Sequence, residues 1–428
     1  MRVCFISLGC PKNLADTEEM MGALAKAGHS VTGDLNHADA AVINTCGFLA
    51  SASRESRREI ATLAALKKRG KIKKLIITGC LAQREGPALI KEFPLADSIL
   101  GIAAADDIAA SLKTGMKRIL PPPSKLCAPK YRMTATMPHS VFLKIADGCA
   151  NRCAYCAIPS IRGELRSKPV ADVVSEARAL SANGAVEISL IAQDTTAYGT
   201  DLYGKPSLLK LLSALVNVSG PRWRIMYAYP DLVDEALVKF IASHEQIIRY
   251  MDVPVQHGCT RILKLMNRRS TEQSLRRAVS LLRRIPGMAL RTTFIAGFHG
   301  ETRAEHERAK KFLQWAKFDS VAVFPYSPEK GTAAYSLPDH LPAKERQRRA
   351  HELAEAQSRI VDGINKKLIG KTVNVLMDSE CEGRLEGQAP DIDGYVIVES
   401  RKPLKSGETV PVKIVSAKGY IRKAVFPG

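Results

Sequence analysis

Apolar positions in the first quarter of the chain fall into short runs of strand length. Val3 to Ser7, Ala40 to Asn44 and Leu75 to Thr78 predict strands covered on both faces, as in a parallel sheet. Asp16 to Gly28 and Ala50 to Arg69 lie between them with helical patterning. Residues 1–117 therefore read as a βαβ pattern, and a doubly wound parallel sheet is the economical fold. From 135 to 366 the alternation continues. Strands are expected at Phe142 to Ala146, Glu187 to Ile191, Arg224 to Ala228, Tyr250 to Val255, Arg291 to Ile295 and Ser320 to Phe324. Helical periodicity fills the gaps, as in Val170 to Asn183 and Arg303 to Ala316. Six such units predict a partial (β/α)6 barrel. In residues 367–428 the pattern shortens to Thr372 to Met377, Gly394 to Val398, Thr409 to Val415 and Tyr420 to Val425. Glycines punctuate these runs, which suits a small antiparallel β-barrel. Pro121, Pro122, Pro123 and Pro129 mark residues 118–134 as an extended linker. The chain as a whole is thus expected to be α/β.

Composition narrows the setting. No apolar run approaches the roughly 18 residues of a membrane span, so no membrane association is expected. The opening Met1-Arg2-Val3-Cys4-Phe5 lacks a secretory layout. Ten cysteines in such a chain favour metal ligation in a reducing, cytoplasmic setting over disulfides. The net charge of +20 is uneven. Between Cys259 and Arg291 nine Lys/Arg face one acid, Glu272, and a second basic run spans Arg54 to Lys74. Such surfaces attract RNA, although a charge run also serves as an ordinary solvated face. Lys371 to Ser400 is the reverse, with seven acids and two bases, a composition that attracts basic proteins.

Three cysteines carry the sharpest chemistry. Cys149, Cys153 and Cys156 are spaced C-x3-C-x2-C, which supplies three thiolates to a cubane that takes four ligands. One iron is left open, and an open iron is a place for chemistry. Zinc is the competing reading, but zinc sites usually pair two C-x2-C units or add histidines. The nearest histidine, His139, lies ten residues before Cys149. In the first segment each predicted strand runs directly into a cysteine: Cys10, Cys46 and Cys80, separated by 36 and 34 residues. Ligands of open parallel sheets sit beyond the carboxyl ends of the strands, so these three are expected to converge on a second three-thiolate site. Isolated buried cysteines, which are common in cores, are the alternative. Polar residues also follow the strands of the central segment, among them Gln193, the candidate for a cofactor pocket. His257, beside Cys259, reads as a satisfied loop histidine, and no catalytic residue is named.

Cys149-Ala150-Asn151-Arg152-Cys153-Ala154-Tyr155-Cys156 resembles the signature of radical S-adenosylmethionine (SAM) enzymes. Ser7-Leu8-Gly9-Cys10-Pro11-Lys12-Asn13 and Ile43-Asn44-Thr45-Cys46-Gly47-Phe48 resemble the N-terminal domain of methylthiotransferases, and the C-terminal segment resembles their TRAM domain. In the central segment Asp252-Val253-Pro254-Val255-Gln256-His257-Gly258 and the block ending Gly300-Glu301-Thr302 resemble blocks of the same family, with His299 in place of the usual proline. The resemblance implies two [4Fe–4S] clusters, an auxiliary one on Cys10, Cys46 and Cys80 and a radical SAM one on Cys149, Cys153 and Cys156. It implies two uses of SAM, one to methylate a sulfur and one to make a radical. An electron donor such as a flavodoxin or ferredoxin, and a sulfur donor, are implied as partners. Ser7-Leu8-Gly9-Cys10-Pro11-Lys12-Asn13 and Ala389-Pro390-Asp391-Ile392-Asp393-Gly394 are similar to the branch that modifies the β-carbon of an aspartate in ribosomal protein S twelve. The alternatives are modification of an adenosine in transfer RNA, or a non-catalytic iron–sulfur factor that binds ribosomes or RNA.

Overall fold

The computed structural model describes residues 1–102, 107–114, 126, 129 and 131–427. Cys127 and most of the expected proline-rich linker lie outside the described residues. The described chain forms two compact units, and their boundaries interleave along the sequence. The first takes in Met1–Ala135, Ala146–Glu176 and Glu329–Tyr335; the second takes in Thr136–Ile145, Ala177–Pro328 and Ser336–Gly428.

The first unit opens with β1 (Arg2–Ser7), α1 (Pro11–Lys26), β2 (Ser30–Thr32), β3 (Ala40–Thr45) and α2 (Ala50–Lys68). It continues with β4 (Lys74–Gly79), α3 (Cys80–Glu92), β5 (Ser98–Ile99) and α4 (Ile108–Thr114). The strands pair in parallel in the order β2-β1-β3-β4-β5. Alternation of side chains along each strand divides the core in two. Ala41, Ile43, Leu75 and Ile77 meet Ile60 and Leu63 of α2 and Leu81 and Leu89 of α3. Val3, Ala40, Val42 and Ile76 point the other way, onto Met20 and Leu24 of α1 and Ile108 and Leu112 of α4. Helices on both faces explain why β3 is buried along its whole length.

In the second unit β6 (Ser140–Lys144) begins a six-stranded parallel sheet. After it the chain passes through β7 (Ala146–Asp147), α5 (Ile158–Arg162), β8 (Arg166–Ser167) and α6 (Val170–Ala182). The sheet then adds β9 (Glu187–Ile191), β10 (Arg222–Ile225), β11 (Ile247–Asp252), β12 (Ala289–Ala296) and β13 (Ser320–Pro325) in spatial sequence. Each crossover moves to the adjacent position, the progression of a barrel left partly open. All six strands fall where the apolar runs predict them. The C-terminal segment is a closed barrel of five strands: β14 (Thr372–Met377), β15 (Glu382–Leu385), β16 (Val396–Glu399), β17 (Thr409–Lys418) and β18 (Ile421–Val425). Only four were expected. Glu-Gly-Arg-Leu has poor strand propensity, and β15 is held by its pairing with β14 and β16. Buried Val375, Met377, Val396, Val398, Val412 and Ile414 form the barrel core.

The C-terminal barrel packs at the amino-terminal ends of the six-stranded sheet. Arg384 of β15 donates to Glu187 Oε1 (2.7 Å) and to Ser140 Oγ (2.7 Å). Arg224 of β10 forks onto both oxygens of the same Glu187, at 3.1 and 3.0 Å. Tyr250 donates to Asp393 (2.7 Å), Ser320 donates to the same carboxylate, and Arg291 lies 3.2 Å from it. His139 meets Asp378 at 2.9 Å. Three of the seven acids in the expected acidic surface, Asp378, Glu386 and Asp393, are therefore spent on partners in this unit. Glu380, Glu382, Asp391 and Glu399 remain exposed.

Candidate active site

Adjacent strand ends bring Cys10, Cys46 and Cys80 together. Cys10 is the N-cap of α1, Cys80 is the first residue of α3, and Cys46 follows β3 between them. Gly9 and Gly79 make the turns, with φ of 95° and 96°. The space demands glycine as well: a Cβ on Gly9 would lie 2.9 Å from Cys46 Cβ and 3.1 Å from its Sγ. On Gly79 it would strike the backbone of Thr45 at 2.6 Å. Cys10 and Cys80 thus stand at the amino termini of α1 and α3.

Asn13, one turn into α1, sits in the middle of this group. Its Nδ2 donates to the carbonyls of Leu8 and Thr45, both at 3.0 Å, which fixes the orientation of the amide. Its Oδ1 consequently faces Cys80 Sγ at 3.3 Å. Burial pushes the Cys80 thiol up to about 12, against the pull of Arg162. Burial likewise raises Cys46. Thiols so shielded stay protonated unless a metal takes the place of the proton. The donor set, the helix termini and the glycine turns fit an iron–sulfur cluster bound by three thiolates.

The C-x3-C-x2-C segment belongs to the same unit. Cys149 N–H donates to Gly163 O (3.1 Å), and Cys156 N–H donates to Cys153 O (3.0 Å), so the three cysteines ride on one compact loop. The loop closes against Glu329–Tyr335, where Ala334 N–H donates to Ala154 O (2.7 Å). Glu329 in turn accepts from the amide of Ala50 at 2.8 Å, just ahead of α2. Ala157 and Ile161 of α5 pack against Cys80. Among the described residues no three Cys, His, Asp or Glu side chains close on one point as the ligands of a single metal ion do. A cubane, which grips each thiolate at a separate iron, does not require that.

Gln193 belongs to the second unit, half-buried in the turn after β9. His257 is fully buried there; its Nδ1 accepts from the Cys259 amide at 3.0 Å, and burial holds it down to about 4. The basic run from Cys259 to Arg291 is largely absorbed by ion pairs. Arg261 meets Glu305, Arg276 meets Glu272, Arg283 meets Asp319, Arg284 meets Glu235 and Arg291 meets Asp252. Arg268 is buried over the ring of Tyr229, 4.3 Å from its centroid. Among the described residues no helix is long and apolar enough to cross a membrane. Sequence reasoning missed Arg162, whose guanidinium reaches Asp16, Asp147, Asn13 and Cys80. A lone arginine at the end of the short apolar stretch Ile158-Pro159-Ser160-Ile161 was the available signal.

Three regions of the chain match known protein families. Residues 2–101 match Uncharacterized protein family UPF0004, residues 143–313 the Radical SAM superfamily, and residues 369–421 the TRAM domain. The chain is 51% identical to "Ribosomal protein uS12 methylthiotransferase RimO" of Elusimicrobium minutum, over 98% of each chain. It is 40% identical to the protein of that name from Pelotomaculum thermopropionicum, again over 98% of each. Among solved structures it resembles the radical SAM methyltransferase TsrM of Kitasatospora setae, with a TM-score of 0.57 and 16% identity over 76% of this chain and 74% of that one. That likeness speaks for the fold.

Proposed function

Because the chain belongs to the RimO family of radical SAM methylthiotransferases that act on ribosomal protein uS12, we propose that it methylthiolates the β-carbon of an aspartate in that protein through two three-cysteine clusters. One observation carries the reading: the meeting of Cys10, Cys46 and Cys80 at adjacent strand ends, in the unit that also holds the Cys149–Cys156 loop. When bound, the cluster and SAM would supply a 5′-deoxyadenosyl radical able to take hydrogen from an unactivated carbon.

The protein's own part is placement. Cys149, Cys153 and Cys156 would hold the cluster that engages SAM. Cys10, Cys46 and Cys80 would hold the auxiliary cluster, with one iron left for the sulfur to be transferred. Asn13 and the two glycine turns fix the spacing of those thiolates. Exposed Glu380, Glu382, Asp391 and Glu399 give a basic ribosomal protein an oppositely charged surface.

The test is anaerobic reconstitution followed by reaction with SAM, a reductant and uS12. The chain should carry about eight irons and yield both 5′-deoxyadenosine and modified uS12. Cys10→Ala should still release 5′-deoxyadenosine while leaving uS12 unmodified by mass spectrometry. Methylthiolated aspartate from that variant would remove the auxiliary-cluster role. Absence of 5′-deoxyadenosine from the parent chain would point to a non-catalytic iron–sulfur factor.

A further inference from the structure

Arg162 is the most fully enclosed cation beside the cysteines, with its side chain 1% exposed. Its Nη1 donates to both oxygens of Asp147, at 3.1 and 3.0 Å. Its Nη2 faces three acceptors: Asn13 Oδ1 at 2.7 Å, Asp16 Oδ2 at 2.8 Å and Cys80 Sγ at 3.4 Å. An Nη carries two protons, so three acceptors share them. Asp147 engages Nη1 and Asp16 engages Nη2, so each end of the fork has a carboxylate. Nη2 is shared in addition with a thiol and with the amide that also touches that thiol.

The position in the chain adds a second point. Arg162 lies six residues after Cys156, at the end of α5, whose N-cap Ala157 and helical Ile161 pack on Cys80. The loop of one cysteine triplet therefore continues directly into the helix that contacts a member of the other. A cation donating to a ligating sulfur stabilises the more negative, reduced form of a cluster and raises its potential. We propose that Arg162 is a positioning residue that sets the reduction potential of the cluster on Cys10, Cys46 and Cys80. The inference rests on the reading of those three cysteines as cluster ligands.

The test compares the reconstituted full chain with Arg162→Lys and with a double variant, Arg162→Gln with Asp16→Asn. The double variant removes one cation and one carboxylate, so the local net charge is unchanged, and Asp147 keeps Arg166 at 3.7 Å. Redox titrations followed by electron paramagnetic resonance report both clusters, and added SAM perturbs only the one on Cys149, Cys153 and Cys156. In the double variant the reduction equilibrium of the auxiliary cluster should weaken about tenfold, a negative shift of about 59 mV for one electron. Arg162→Lys should recover most of that shift, and the SAM-responsive cluster should hold its potential in every variant. Eight irons with unchanged potentials in both variants would overturn the proposal. So would loss of the auxiliary irons from both variants, which would make Arg162 a scaffold only. A parent chain with four irons would instead defeat the cluster reading itself.

Discussion

Two buried arginine networks, one in each compact unit, use the same chemistry to different ends. In the second unit Glu187 lies between Arg224 and Arg384, whose other partners include the hydroxyl of Ser140, the carbonyl of Glu386 and the ring of Tyr250, none of them a thiol. It sits at the amino end of β9, where barrel residues serve stability, and it ties the C-terminal barrel to the sheet. In the first unit Arg162 lies between Asp16 and Asp147 at the carboxyl ends of the strands, and one of its partners is a thiol. Buried ion pairs are weak evidence of stabilisation, because desolvation offsets their attraction. Their location is more informative. A network satisfied among charges holds elements together, whereas one that shares a guanidinium nitrogen between a carboxylate and sulfur prepares a site.

The comparison breaks first at the cysteines. Cys149→Ala should cut 5′-deoxyadenosine formation by at least about 10³-fold, since the cofactor supplies the chemistry that side chains cannot. Thermal unfolding of the second unit should not move. A variant that kept deoxyadenosine production would take the C-x3-C-x2-C loop out of the active site.

Next in size is Glu187→Gln. It leaves Arg224 and Arg384 buried without a counter-charge and should cost about 3–5 kcal/mol in denaturant unfolding. At a temperature where the variant is folded, 5′-deoxyadenosine formation should persist. Failure of that activity in a folded Glu187→Gln protein would mean that the amino-end network also shapes the site.

Acid should expose the same pair. Burial alone would raise the Glu187 carboxyl, but Arg224 and Arg384 hold it at about 2, below its ordinary 4.5. A depressed carboxylate stabilises the fold above its unfolded value, and that contribution fades as pH falls from about 4.5 toward 2. The difference corresponds to about 3 kcal/mol. Glu187→Gln should flatten this limb of the stability curve, and an unchanged acid limb would contradict the assignment.

Much of this was legible in the chain. The apolar runs located the parallel strands of both sheets, because burial on two faces leaves a continuous signature. The strand-end positions of Cys10, Cys46 and Cys80 followed from spacing alone, and β1, β3 and β4 are indeed neighbours in the sheet. β15 was not legible, since its residues are strand-like only in the company of β14 and β16. Arg162 was invisible for a related reason: its partners Asn13, Asp16 and Cys80 are 149, 146 and 82 residues away. Charge runs are hard to read for the same reason. Nine basic residues between Cys259 and Arg291 allow an RNA-facing reading, yet some of their acids come from distant elements, Glu305 of α12 (Arg303–Ala316) and Asp319 just before β13, which linear counting overlooks.

The smallest expected effect tests that last point. Lys264 and Arg277 stay exposed on the basic stretch, whereas Arg283 and Arg291 are held by acids. Lys264→Ala with Arg277→Ala should change stability by no more than about 0.5 kcal/mol. If the stretch is structural, modification of free uS12 should also keep its rate and its salt dependence. RNA contact would reveal itself differently: each lost phosphate contact lowers the salt slope of binding by about one, so titration with ribosomal RNA at several salt concentrations separates the two. A reduced slope in the double variant would restore the RNA-facing reading for this patch, and with it a preference for uS12 already assembled on RNA.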